Sequence, residues 1–194
     1  MSGDGWVARL DESSRETGNG LMYVVGAAVV LRSDENVARQ ALMDLRLPRQ
    51  RYLHWRAESD DRRRVLLDAV AELGFVAFVV ASHPVTPRGQ ERARARNLKR
   101  LGYVLSREEG ISDVVIESRS ALLDRRDAVT FRNAREQGTV DPSFHFEHTR
   151  KSDDPLLWAA DIITSAQAFD LTTTSRPYWQ TLQRVVLGVH HIDP

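Results

Sequence analysis

The sequence predicts an α/β protein, a mixed sheet of about five strands with helices on both faces. Two apolar, β-branched runs open the chain around Gly18-Asn19-Gly20, the signature of a β-hairpin. Beyond residue 60, short apolar runs alternate with amphipathic segments of helical period, the pattern that joins parallel strands. The 194 residues, 42% of them hydrophobic, suffice for one sizeable core, and no linker, repeat or low-complexity segment divides them. One domain over 1–194 is therefore expected, its core at about 6–171 and a C-terminal helix and tail at 172–194.

In chain order, Trp6, Ala8 and Leu10 recur at period two and predict the buried face of a strand that surfaces at Asp11-Glu12-Ser13. Residues 21–31 form its hairpin partner. Ser33 or Asp34 can cap a helix to about residue 45, stopped before Pro48. The irregular stretch around His54-Trp55-Arg56 follows, and then Val65, Leu66, Ala69, Val70 and Leu73 mark an amphipathic helix over 60–73, terminated by Gly74. Residues 75–81 are continuously apolar, as in a central strand covered on both faces. A helix over 89–106 carries Arg88, Arg92, Arg96 and Arg100 every fourth residue, opposite Leu98, Leu101 and Leu105, so this ridge is expected to face outward. A strand over 113–118, a helix over 121–137, a short strand over 143–148 and a helix over 154–171 complete the core. A last helix or turn at 176–187 precedes a frayed tail with His190-His191.

Composition narrows the function classes. With 27 basic and 27 acidic residues the net charge is zero, so no bulk field draws nucleic acid or membrane, and any basic surface is local. Only Lys99 and Lys151 are lysines, an arginine bias that coding preference explains before phosphate recognition does. The absence of cysteine removes disulfides and thiolate metal sites, and no apolar stretch approaches the ~20 residues that span a bilayer. Without a basic-then-apolar leader, the cytoplasm is the expected location.

The acidic residues carry the chemical signal. The helix over 154–171 is apolar around almost its whole circumference, yet Asp161 lies at its centre. A buried carboxylate needs a cation, and Arg9, Arg119 or a metal ion are the candidates. Glu117 closes one strand as Asp11 closes another, and the carboxyl ends of strands gather at the functional edge of an open α/β sheet. Asp11 and Glu12 point to opposite faces of a regular strand, so one of them is expected in the site. Three converging carboxylates repel unless hard divalent cations, Mg2+ or Mn2+, lie between them, and a pair of such ions clamps the oxygens of a phosphodiester. His54 and Arg56, flanking Trp55, together with Arg119 and Lys151, are the expected substrate-binding side chains. His145 and Glu147 share a strand face but lack a third zinc ligand at fitting spacing.

The Asp11-Glu12-Ser13 box, the long apolar strand 23–31, Val114-Val115-Ile116-Glu117 and the Ala159-Ala160-Asp161 helix together resemble the bacterial domain-of-unknown-function family thirty-eight-hundred, regarded as RNase H-like. The resemblance covers about residues 7–169. It implies an RNase H-like fold and a nuclease or related phosphodiesterase using two Mg2+ or Mn2+ ions and acting on nucleic acid. Asp11, Glu12, Glu117 and Asp161 inherit the catalytic acidic positions, with Asp11, Glu117 and Asp161 as metal ligands. The chain departs from the pattern at Ser14, where a glycine is expected, at Trp158 in place of a glutamine, and at Glu117, where aspartate is commoner. These departures motivate the alternative, a binding or regulatory module that keeps the fold without the chemistry; an enzyme on small phosphorylated molecules is a third reading.

Overall fold

The computed structural model describes residues 5–193. Among these residues six strands form one sheet: β1 (Trp6–Thr17), β2 (Gly20–Leu31), β3 (Val76–Val85), β4 (Asp113–Glu117), β5 (His145–Thr149) and β6 (Val186–Ile192), in the order β5-β4-β1-β2-β3-β6. Only β2 runs antiparallel to its neighbours; β1, β3, β4, β5 and β6 share one direction. The helices are α1 (Glu35–Asp44), α2 (Asp60–Glu72), α3 (Gln90–Tyr103), α4 (Ala121–Glu136), α5 (Leu156–Thr172) and α6 (Trp179–Val185). One apolar core joins Val7, Ala28 and Val30 to α1, α2, α5 and α6, and a second joins Ala8, Leu10 and Val25 to α3 and α4. The sheet is thus covered on both faces, and among the described residues no helix is long and apolar enough to cross a membrane.

Two expectations change. The sheet has six strands, because residues 186–192, expected as a frayed tail, pair in parallel with β3. Leu182 and Val185 just before them are buried, so this segment belongs to the core rather than trailing from it. The first strand does not surface at Asp11: it continues to Thr17 before a two-residue turn, and both its faces are buried, Val7 and Arg9 on one side, Ala8 and Leu10 on the other. Its alternation was legible, but a central strand has no solvent face, so the polar alternate positions fill with ion pairs; Arg9 lies between Glu35 and Asp154.

Two local features shape a cleft at the sheet edge. β1 pairs with β4 only from Ala8 to Leu10, while its pairing with β2 continues to Thr17. Past Leu10 the sheet therefore splits, and the cleft opens at the carboxyl end of β4. Gly26, directly opposite Asp11 on β2, is the second feature. A Cβ there would collide with Thr164 Oγ1, so the absence of a side chain lets α5 lie directly on the sheet and brings Asp161, one turn earlier, over β1.

Candidate active site

Asp11, Glu117 and Asp161, from β1, β4 and α5, all line the cleft, which encloses about 370 Å³. At their centre lies the ammonium of Lys151, with Nζ 3.0 Å from Asp11 Oδ2, 3.0 Å from Glu117 Oε2 and 3.5 Å from Asp161 Oδ1. Neither Arg9 nor Arg119 is the partner of Asp161: Arg9 is taken by Glu35 and Asp154, and Arg119 by Glu91, Glu12 and Asp127. Lys151, expected only as a substrate contact, holds the cation position itself.

The lysine is placed by its backbone. It follows β5 in a tight turn in which Arg150 O accepts from the backbone N–H groups of Asp153 and Asp154, and the indole Nε1 of Trp158 donates to Lys151 O at 2.7 Å. Trp158 thus ties the turn to α5, which gives the unexpected tryptophan a positioning role. Burial alone would lower the ammonium's pKa, but Asp11, Asp161 and Glu117 outweigh it and hold Lys151 above its ordinary value. Burial pushes Asp11 well above the carboxylate range, with Asp161 and Glu117 adding to the rise and Lys151 opposing it. Asp161 moves the other way: burial opposes, but His54, Lys151 and the Trp55 N–H hold it below its ordinary value.

His54 Nδ1 lies 3.2 Å from Asp161 Oδ2, and Trp55 N donates to the same oxygen at 2.8 Å. An ionised carboxylate only accepts, so Nδ1 is the donor to it, and in the neutral form of the ring the lone pair lies on Nε2. Arg56 lines the cleft and donates to the backbone carbonyl of Ser14 at 3.0 Å, a contact that a glycine at this position would make equally.

Glu12 points to the opposite face of β1 from Asp11. Its carboxylate bonds Tyr23 Oη and Arg94, with Arg119 at 3.7 Å. Arg94, buried on α3, also forks onto Asp127 at 2.8 to 3.2 Å. Sequence reasoning missed Arg94, although a signal existed: it lies on the apolar stripe with Leu98 and Leu101, where a charge demands a buried partner. The arginine ridge on the opposite side of α3 is exposed only at Arg88 and Arg92. Arg96 and Arg100 are half-buried, Arg96 donating to Asp193 O and Arg100 meeting Glu108 and His190, because the unforeseen β6 segment lies beside them. On β5, His148 approaches Asp124 and Asp127, and these three groups lie within 4.8 Å of one another. Their oxygens already have protein donors: Arg94, Arg119 and His148 on Asp127, Ser118 and the Arg119 amide on Asp124.

No family model matches the sequence, and no curated protein matches it. Among solved structures the chain is similar to one in the structure of the PCNA:RNase HII complex from Archaeoglobus fulgidus, with a TM-score of 0.52 at 17% identity, covering 91% of this chain and 78% of that one. At this identity the similarity establishes the fold: an RNase H-like mixed sheet with helices on both sides.

Proposed function

We propose that the chain is a divalent-metal-dependent phosphodiesterase acting on nucleic acid, with Asp11, Glu117 and Asp161 as the metal-holding carboxylates. One observation carries this reading: three carboxylates from three elements meet around a single point with one ammonium between them, a local excess of acidic groups over cations at that point. The donor set of hard oxygens fits Mg2+ or Mn2+, and Lys151 marks the position at which a cation is stabilised. A divalent ion and the lysine compete for the same oxygens. When bound, the ion supplies Lewis-acid charge to the oxygens of a phosphodiester. Glu12 is engaged by Tyr23, Arg94 and Arg119, so the chain's own free donors suit one ion, and a second of the expected pair would draw on substrate phosphate.

The chain's own groups provide the remaining roles. His54, fixed by Asp161, can accept a proton from an attacking water at Nε2. Arg56, held by a backbone carbonyl, lines the cleft and offers a planar fork for phosphate, whereas Arg119, expected in the same role, is held by Glu91, Glu12 and Asp127. The test is cleavage of labelled RNA, DNA and hybrid oligonucleotides in Mn2+, with thermal melting alongside. Asp161→Asn is expected to abolish cleavage and the Mn2+-induced rise in melting temperature while leaving the metal-free protein folded.

The second reading, a binding module without chemistry, is favoured by the same lysine, which already satisfies the carboxylates. A protein that binds nucleic acid but shows neither cleavage nor any thermal response to Mn2+ or Mg2+ would establish that reading and end the first.

A further inference from the structure

Arg9, Arg94 and Arg119 all end on carboxylates. Three arginines beside the cleft are held differently. Arg15 donates to Thr172 Oγ1 at 3.1 Å and lies 4.2 Å over the Phe169 ring. Arg56 donates to Ser14 O. Arg63 donates to Trp55 O at 3.0 Å and lies 5.4 Å from the Trp55 ring centre, with exposed Asp60 as an acidic partner. Carbonyls, a hydroxyl and ring faces fix the direction of a guanidinium without cancelling its charge, so two of the three keep their full positive field. Burial and then the nearby Arg56 and Arg63 hold Arg15 below its ordinary pKa, which reflects how closely the three cations are gathered.

The three line one groove with Trp55 and exposed Glu16, and this groove shares Ser13, Ser14, Arg56 and Ser165 with the carboxylate cleft. We propose that Arg15, Arg56 and Arg63 form a phosphate-binding track that holds the backbone of a nucleic-acid strand as it runs into the carboxylate cleft. The inference rests on the phosphodiesterase reading for its choice of polymer. Planar forks fixed in advance match successive phosphates at low cost in side-chain entropy, and the track leads to the place where phosphodiester chemistry has its carboxylates. An acidic polypeptide would meet the same cations, but it carries no phosphodiester for the carboxylate cleft to act on.

The experiment is fluorescence anisotropy of labelled oligonucleotides across a salt titration in EDTA, so that binding is read without cleavage. Arg15→Gln combined with Arg63→Gln is expected to weaken binding and to flatten the slope of log K against log salt by about 1.4 on single strands, about 0.7 for each lost phosphate contact. Glu16→Lys, at an exposed position that does not test folding, should steepen the slope by about 0.7. Arg107→Gln, which removes a guanidinium that meets Asp141 and lines neither groove nor cleft, should change neither. An unchanged slope in both the double variant and Glu16→Lys overturns the track, as does polyglutamate that displaces the oligonucleotide at equal charge. Failure of the two ideas is distinguishable. Wild-type protein that binds as expected but never cleaves in Mn2+ ends the enzyme reading and leaves the track standing, whereas cleavage with unchanged salt slopes does the reverse.

Discussion

Two ionic clusters lie back to back across β1, one built on Asp11 and the other on Glu12, and they differ in charge balance. On the α3 side, Glu12, Glu91 and Asp127 face Arg94, Arg119 and Arg126, acid for base. On the α5 side, three carboxylates share one ammonium. A balanced cluster offsets the desolvation of its buried members, Arg94 and Asp127, and ties α3 to α4. Glu12, Arg94 and Arg119 reach the same cleft, but the acids around Lys151 outnumber their cation and keep affinity for further positive charge. Neighbouring acids on one strand therefore serve different ends, and the number of opposing cations, rather than burial, distinguishes them.

The largest expected effect breaks the balanced side. Asp127→Asn leaves Arg94 buried with half its counter-charge and should cost about 3 to 5 kcal/mol in denaturant unfolding. The same residue sets a pH dependence. Burial alone would raise Asp127, but bonds from His148 and Arg94 and the charges of Arg94 and Arg119 hold it below its ordinary value. The folded state then binds fewer protons than the unfolded chain. The stability from this group is complete above the ordinary carboxylate value of about 3.9 and lost as pH falls through the depressed one. The variant's curve of melting temperature against pH should be flatter below about pH 4.

Next comes Lys151→Met, which removes the shared ammonium from the unbalanced side. In EDTA it should destabilise by about 2 to 3 kcal/mol, less than a fully trapped charge because the carboxylates can share a proton. Mn2+ should then stabilise the variant more than it stabilises the wild type, since the competing cation is gone. Equal Mn2+ responses would show that the lysine and the ion do not share a position.

Gly26→Ala should cost about 1 to 3 kcal/mol by pressing α5 away at Thr164, and should weaken any Mn2+ response, because Asp161 leaves with the helix. A variant with full Mn2+ response would separate the helix approach from the carboxylate geometry. Smallest is Trp158→Phe, which loses the bond to Lys151 O for about 1 kcal/mol while keeping most of the packing. Its sharper readout is looser Lys151, visible as faster acylation of that amine by a lysine reagent.

Much of the helix and strand order was legible because period-two and period-3.6 patterns record which face is covered. The 60–73 and 121–137 helices correspond to α2 and α4 within a residue. β6 escaped notice because His190, His191 and Gly188 break the apolar alternation of an edge strand whose pairing with β3 is made by its backbone. Asp161 stood out as a charge inside an apolar helix, and Glu117 as an acid at a strand end. The place of Lys151 among these acids did not, because its neighbours Arg150 and Ser152 are polar and exposed and nothing local marks the one side chain that turns inward.

What the sequence alone determined is the alternation of strands and helices, the burial of Asp161 and the opposite facing of Asp11 and Glu12, since each follows from the period of a single element. Which cation meets those acids was decided only by the tertiary structure. Arg9, Arg119 and Lys151 are far from Asp161 or near it along the chain for reasons unrelated to their distance in space. The split between β1 and β4, the close seat of α5 over Gly26 and the turn held by Trp158 together place Lys151 among the carboxylates, and each of those is a contact between elements that no local pattern encodes.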